Sequence, residues 1–217
     1  YVFFTSDNFP RNRRSREILA LMAHARRDGY DISATLELDT KAVLRIPNLV
    51  PMLKDAGVKH VFAGVESLNE TNNAGAQIVK NDIPEFERFA TMMREAEITT
   101  HAGYIIGFPH DTVESVKDEV ARLAELFDIA SFFYLTLLPG SQDHAQAVRD
   151  GVLMDPDLNK YNSFCPTSEH PTMSYGEWVT AYNTAWEIFY APERMIEKIN
   201  RKRTPQQKFG LLGNYIL

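Results

Sequence analysis

The sequence predicts an α/β fold, a whole or partial (β/α) barrel built on parallel strands. Short apolar segments rich in β-branched and aromatic residues alternate with amphipathic helical segments over residues 1–140. These apolar runs are nearly continuous, as is typical of parallel strands that helices cover on both faces. No G-x-G-x-x-G or P-loop motif follows the first strand. We therefore favour a barrel over a doubly wound open sheet, the other arrangement that right-handed crossovers allow.

Five strands and the helices between them are predicted in order along the chain. The strands are expected at residues 1–4, 32–38, 58–65, the start of 101–112, and 130–138. The helices between them are expected at residues 12–27, 48–55, 84–97 and 113–127. After Gly140 a helix at 141–150 stops at Gly151, and an aromatic helix begins near Ser174. We expect a partial barrel over residues 1–140 and a helical extension over residues 141–217.

The most informative stretch is residues 101–112, HAGYIIGFPHDT. An apolar strand meets Gly107, and Asp111 or Thr112 is placed to cap a helix with Glu114 in its first turn. The carboxyl ends of such strands are where ligands bind in α/β proteins.

Polar residues follow each predicted strand and should meet at one rim of the barrel. Asp39, Asp111 and Ser67 are explained equally well as helix caps. Glu66 is harder to explain structurally, because a buried and unpaired carboxylate costs several kcal/mol. The full set of polar rim residues is Asp7, Asn8, Glu37, Asp39, Glu66, Ser67, His110, Asp111 and Thr136.

Composition limits the possible functions. With 217 residues, 44% of them hydrophobic, the chain is long enough for one domain with a sizeable core. A net charge of -6 argues against nucleic acid as a partner. No apolar run reaches about 18 residues, so no transmembrane segment is predicted. One cysteine, Cys165, excludes an internal disulfide and favours a reducing compartment, the cytoplasm.

Several polar groups have a structural explanation that we favour. Cys165 is expected to be a buried, inert thiol, and His60 and His101 to be structural. No histidine pair has zinc-ligand spacing. The arginines near Arg14 and the basic segment from Arg194 to Lys208, with Arg201, Lys202 and Arg203 in a row, are expected to be solvated. A phosphate or membrane-surface contact at 201–203 is the less favoured alternative.

Four segments in this order resemble the radical S-adenosylmethionine (SAM) enzymes, namely FFTSDNF, AGVKHVFAGVES, GYIIGFPHDT and LTLLPGS. The resemblance is to the subgroup that usually carries an N-terminal cobalamin-binding domain. YNSFCPTSEHPTMS and the helix ending FYAPERM resemble that subgroup's C-terminal extension. The resemblance implies a partial TIM-type barrel of which this chain holds strands two to six.

The resemblance also implies cofactors. In the family a 4Fe-4S cluster, held by a Cys-x-x-x-Cys-x-x-Cys loop after the first strand, reductively cleaves SAM. The resulting radical abstracts a substrate hydrogen, and cobalamin can support methyl transfer or related chemistry. This sequence lacks that loop. We expect the loop, and more of the domain, upstream of residues 1–4, which already resemble a buried strand. The fragment alone is then expected to be inactive.

The resemblance assigns binding roles residue by residue. Glu37 would hold the methionine or ribose part of SAM, and Glu66, followed by Ser67, its amino or ribose groups. Ile105 and Gly107 would abut adenine, and Lys80 would reach the carboxylate. The remaining assignments are Thr136 and Leu137, closing over adenine, and Asp7, Asn8 and His110, on the rim facing cofactor or substrate.

The expected partners are a small-molecule substrate, the upstream part of the same polypeptide and a reductant such as ferredoxin or flavodoxin. Two other functions stay open. One is a barrel hydrolase or aldolase that binds a divalent cation through rim carboxylates. The other is a degenerate, non-catalytic barrel. The aromatic C-terminal helix could line a substrate pocket or belong to the core.

Overall fold

The computed structural model describes residues 1–69, 72, 83–202 and 204–216. Five parallel strands form a half-barrel in the sequential order β1-β2-β3-β4-β5. In a doubly wound sheet the spatial order of the strands reverses at a switch point, as in 3-2-1-4-5-6. The sequential order observed here confirms the partial barrel. The strands are β1 (Val2–Phe3), β2 (Ala34–Glu37), β3 (Val58–Glu66), β4 (Thr99–Ile106) and β5 (Ile129–Tyr134).

The helices connect successive strands and then form the C-terminal extension. They are α1 (Ser15–Arg27), α2 (Thr40–Arg45), α3 (Leu49–Asp55), α4 (Ile83–Glu95), α5 (Val113–Leu126), α6 (Gln142–Asp150), α7 (Tyr175–Phe189), α8 (Pro192–Arg201) and α9 (Pro205–Ile216). Helix α1 starts later than predicted, because a 3-10 turn at Phe9–Arg11 precedes it. Helix α2 was not predicted, and Asp39 caps it by accepting a hydrogen bond from the Lys41 amide at 2.9 Å.

Alternation along the strands separates a covered outer face from a more open concave face. On β3, Val61, Ala63 and Val65 are fully buried against the helices. On the concave face of the same strand, Phe62 and Glu66 are only partly buried. Side chains available to a ligand inside the half-barrel therefore come from this second set.

Helix α7 packs on the outer face of the sheet, so its aromatic residues belong to the core. Trp178 and Phe189 are buried in the same hydrophobic core as the strands. The rings of Trp186 and Phe189 lie edge-on to Phe132 of β5, with centroids 5.1 and 5.9 Å away. The core explanation is thus confirmed for Trp178 and Phe189. The lining of a substrate pocket by this helix stays a prediction.

The extension also satisfies the free edge of β5. The Tyr190 hydroxyl donates to the Ala130 carbonyl at 2.6 Å and accepts from the Ala130 amide at 3.1 Å. The Tyr182 hydroxyl donates to the Phe132 carbonyl at 3.2 Å. These hydroxyls occupy backbone groups that would otherwise invite strand addition. β5 ends at Tyr134, four residues before the predicted end at residue 138. The Tyr134 amide donates a hydrogen bond to the Ser163 carbonyl at 2.9 Å.

The basic segment at the C-terminus is not uniformly solvated, contrary to expectation. Lys198 is 3% exposed, and its Nζ lies 3.4 Å from the centroid of the Phe189 ring. Lys202 pairs with Asp128 at 2.7 Å. Helix α8 is amphipathic, and its packing face includes the lysine stems. Near Arg14 the expectation holds, since Arg14 pairs with Glu17 at 2.9 Å on an exposed surface.

Burial disfavours the charged form of Lys198 and lowers its pKa to about 7. The nearby charges act in both directions: Asp128 and Glu197 raise this pKa, and Arg194 and Arg201 lower it.

Among the described helices, none is long and apolar enough to cross a membrane.

Candidate functional site

The carboxyl end of β3 carries the most unusual backbone at the rim. A register shift lies between Gly64 and Glu66, and Glu66 has a positive φ of 63°. Positive φ is uncommon for a residue with a side chain and recurs at functional sites. The Glu66 carboxylate folds back over Gly64, where a Cβ atom would lie 2.7 Å from Oε1. Glu66 thus reaches over the concave face.

The burial of the Glu66 carboxylate is not offset by an ion pair in the described part of the chain. Burial disfavours its charged form and raises its pKa. Within the described ranges, no lysine, arginine or histidine forms an ion pair with it. A cationic or hydrogen-bond-donating group of a ligand would offset that cost.

Two glycines form the floor of the concave face beside Glu66. Gly64 and Gly103 are register partners on β3 and β4, so neither strand presents a side chain there. The Phe62 ring covers Gly103, where a Cβ atom would lie 2.6 Å from Cζ. Ile105 is partly buried two residues further along β4. The floor therefore offers a carboxylate, an aromatic ring and an aliphatic side chain.

The turn after β4 is held by Asp111, which is 1% exposed. Its Oδ2 accepts hydrogen bonds from the Gly107 amide at 2.8 Å and the Phe108 amide at 3.0 Å. Its Oδ1 accepts one from Asn72 Nδ2 at 2.5 Å. Burial raises the pKa of Asp111, although these bonds and His170 act in the opposite direction.

Thr112, not Asp111, caps helix α5. Its hydroxyl accepts from the Ser115 amide at 3.1 Å, and the Ser115 hydroxyl accepts from the Thr112 amide at 3.0 Å. The helix-cap explanation of Asp111 is therefore wrong, because its carboxylate turns back to the β4 turn.

Helix α7 and the segment before it fix the β4 turn from the other side. Gly107 has φ +116°, and Trp178 packs where its side chain would be. Trp178 Nε1 donates to the Ile106 carbonyl at 3.0 Å. His170 Nε2 lies 2.9 Å from the Phe108 carbonyl, and burial lowers the pKa of this histidine. The turn is therefore fixed by hydrogen bonds and packing from both sides.

The ends of β1 and β2 contribute the other predicted rim residues. Glu37 is partly buried and is the register partner of Phe62, which places it on the concave face. Asn8 Oδ1 accepts from the Asp39 amide at 3.4 Å, whereas Asp7 is exposed. Asp39 caps α2, as the helix-cap explanation of this residue predicted.

The remaining predicted residues lie on the rim or outside the described part. Thr136 is partly buried, and its hydroxyl donates to the Tyr134 carbonyl at 3.1 Å. Leu137 is partly buried, and His110 is exposed, with its amide donating to Asn72 Oδ1 at 3.0 Å. Lys80 lies outside the described residues. The binding roles assigned to all of these residues stay predictions.

Glu119 of α5 is a rim-supporting residue that the sequence analysis missed. Its Oε2 accepts hydrogen bonds from the Leu68 amide at 3.0 Å and the Ser67 hydroxyl at 3.2 Å, and also from the Tyr104 hydroxyl. It could have been found from the helix pattern, since it is a carboxylate on the apolar stripe formed by Val116, Val120 and Leu123.

The two strand histidines form a polar pair at the amino-terminal half of the concave face. Their rings lie 5.4 Å apart, His60 Nδ1 is 3.3 Å from Thr35 Oγ1, and His101 Nε2 is 2.8 Å from Ser131 Oγ. Burial lowers the pKa of His101 to about 4, so it is neutral at pH 7.

Cys165 is partly exposed rather than buried, with Sγ 3.4 Å from the Lys160 carbonyl. No group of three His, Cys, Asp or Glu suited to a metal occurs among the described residues.

Comparisons with known proteins give one curated relative and several solved structures of similar fold. No family model matches the chain. A curated relative, the anaerobic magnesium-protoporphyrin IX monomethyl ester cyclase of Rubrivivax gelatinosus, is 25% identical over 175 residues. That match covers 79% of this chain and 30% of the relative, so the chain spans less than a third of it.

Solved structures share the fold. The radical SAM methyltransferase TsrM from Kitasatospora setae, with cobalamin and a [4Fe-4S] cluster bound, matches with a TM-score of 0.65 at 14% identity. The match covers 86% of this chain and 42% of TsrM. This chain is therefore similar in sequence to the cyclase and similar in fold to radical SAM enzymes.

A second radical SAM enzyme, the cobalamin-dependent OxsB with cobalamin and SAM bound, matches with a TM-score of 0.58 at 11% identity. This match covers 97% of the chain and 37% of OxsB. It therefore extends past the strands into the helical extension.

Proposed function

We propose that this chain is part of the catalytic barrel of a radical SAM enzyme and that its concave face and rim bind SAM. The observation that supports this proposal most directly is Glu66, a half-buried carboxylate at the rim with no cationic partner among the described residues. The ammonium and ribose hydroxyls of SAM are donors that such a carboxylate accepts. The kinship with radical SAM enzymes supports this choice of ligand.

The other contacts follow from the same surface. Glu37 lies on the concave face, where it would take the ribose or methionine part of SAM. Ile105 and the backbone at Gly107 would form the apolar and hydrogen-bonding wall for adenine. This proposal keeps the predicted roles of six further residues, namely Thr136, Leu137, Asp7, Asn8, His110 and Lys80. Ser67 is 1% exposed and its hydroxyl donates to Glu119, so within this proposal it supports Glu66 rather than contacting SAM.

The chain does not fit a 4Fe-4S cluster by itself, because it contains one cysteine and such a cluster needs several thiolates. In this proposal the ligands come from outside the 217 residues. A bound cluster would supply the electron that cleaves SAM and starts hydrogen abstraction from a small-molecule substrate. A reductant of the ferredoxin or flavodoxin type would supply that electron, and cobalamin is a further candidate cofactor.

The carboxylate-metal hydrolase or aldolase has less support. The rim carboxylates Asp39 and Asp111 are already used by a helix cap and a turn. They are therefore poorly placed to join Glu66 around one cation.

The test is SAM affinity in the natural polypeptide that contains this sequence, purified without oxygen and loaded with its cluster. Glu66→Gln should weaken SAM binding about tenfold or more, since a hydrogen bond to a charged group contributes about 1.5–3 kcal/mol. Glu95→Gln makes the same change at an exposed site at the end of α4, near the opposite end of the sheet. Unchanged affinity in Glu66→Gln, measured by equilibrium dialysis, would reject the assignment of Glu66.

A further inference from the structure

The acidic side chain of Glu119 reaches the rim from behind the sheet. It leaves α5, passes the outer face of β4 beside Tyr104, and meets the chain just after Glu66. One oxygen, Oε2, accepts three hydrogen bonds, from the Leu68 amide, the Ser67 hydroxyl and the Tyr104 hydroxyl. Two strand ends and one helix are thus joined at a single atom.

This arrangement is costly for packing alone. Glu119 Oε1 is buried and has no hydrogen-bond partner among the residues that the structure describes. Burial raises the pKa of Glu119, and the nearby Asp111 carboxylate adds to this, although the hydrogen bonds from Tyr104, Leu68 and Ser67 lower it. The neighbouring stripe positions, Val116 and Val120, are fully buried apolar residues. An apolar residue at position 119 would avoid the cost of burying a carboxylate.

The hydrogen bonds of Glu119 fall where the backbone is most constrained. Glu66 holds a positive φ of 63°, and the surrounding structure must fix a non-glycine residue in that conformation. Ser67 is 1% exposed, and its hydroxyl also accepts from the Asn69 amide at 3.0 Å. The two residues after Glu66 are therefore anchored to Glu119, while Glu66 points to the concave face.

We propose that Glu119 is a positioning residue that holds the turn at residues 66–68 so that the Glu66 carboxylate faces SAM. This inference rests on the proposed SAM site. Glu119 acts through Ser67 and Leu68 and does not touch the cofactor itself.

The test compares Glu119→Gln, Glu66→Gln and the double variant in the natural polypeptide with its cluster, measuring SAM affinity. Asp118→Asn is the matched control, because Asp118 is the exposed neighbour of Glu119 on the same helix. Hydrogen exchange at the Leu68 amide gives a readout independent of activity.

We expect Glu119→Gln to weaken SAM binding about tenfold, since small misplacements of a positioned group cost up to about a hundredfold. Exchange at the Leu68 amide should become faster, and the KM for SAM should rise more than kcat falls. The double variant should bind SAM no more weakly than Glu66→Gln alone, because each of the two changes removes the same contact between Glu66 and SAM.

Two results would overturn the proposal, and they are distinguishable. If Glu66→Gln weakens binding but Glu119→Gln matches Asp118→Asn, or the two effects add, the positioning role is wrong and the SAM site stands. If Glu66→Gln binds SAM normally, the Glu66 assignment fails and the role of Glu119 fails with it. Should Glu119→Gln not fold, Tyr104→Phe removes one of the three donors: weaker SAM binding supports the role, and unchanged binding rejects it.

Discussion

Asp111 gives a sharp test of how the rim is built. Its carboxylate accepts from the Gly107 amide at 2.8 Å, the Phe108 amide at 3.0 Å and Asn72 Nδ2 at 2.5 Å. Asp111→Ala would leave these three donors without their acceptor in a site that is 1% exposed. Each buried unsatisfied donor costs about 1–3 kcal/mol.

The net loss is smaller than the sum of these three costs. Burial raises the pKa of Asp111, so the charged carboxylate is itself disfavoured in the folded chain, and its removal returns part of the loss. We expect Asp111→Ala to lower the free energy of unfolding by about 3–5 kcal/mol. Asp111→Asn can keep both backbone bonds but turns its amide group toward the Asn72 amide group, so we expect a loss of about 1–2 kcal/mol.

Urea unfolding at pH 7, followed by circular dichroism, measures both variants against Asp118→Asn. The exposed control should stay within about 0.5 kcal/mol of the parent protein. A loss below about 1 kcal/mol in Asp111→Ala, or a larger loss in Asp111→Asn than in Asp111→Ala, would refute the hydrogen-bond account of the turn.

Two further predictions concern Lys198 and Gly107. The pKa of Lys198 is lowered from 10.5 to about 7, so the unfolded chain binds more protons between these values and this group makes stability rise with pH there. Lys198→Met should therefore stabilise the protein by about 2–4 kcal/mol near pH 6, less at pH 9, and an equal effect at both pH values would contradict the lowered pKa. Gly107→Ala should destabilise by about 3 kcal/mol or more, because its Cβ would lie 2.1 Å from Trp178 at φ +116°. Gly151→Ala, at φ +72° with open space around it, should lose only about 1 kcal/mol in thermal unfolding, and equal losses would show that Trp178 does not crowd Gly107.

The sequence was most informative about the sheet. The apolar run at residues 58–65 matches the observed strand Val58–Glu66 closely, although only its outer face is fully buried. Helix α2 escaped notice since six residues are too few for a helical period to emerge. The edge tyrosines Tyr182 and Tyr190 lie more than 45 residues from the strand they serve, so local patterns carry no trace of their role.

At the site, the sequence placed carboxylates on the rim but could not separate their roles. Asp39, Asp111 and Glu66 each follow a strand, yet one caps a helix, one closes a turn and one faces the concave surface. These differences depend on side-chain direction, which spacing does not encode. Glu119 was missed because its partners, Ser67 and Leu68, are about 50 residues away in sequence.

Iron and SAM cleavage in the natural polypeptide test the central proposal most directly. The polypeptide would be purified without oxygen, its iron and sulfide determined per chain, and SAM cleavage followed after reduction. The proposal predicts at least about four iron and four sulfide per chain, with cleavage of SAM on reduction. A polypeptide that holds no iron after reconstitution and leaves SAM intact would contradict it.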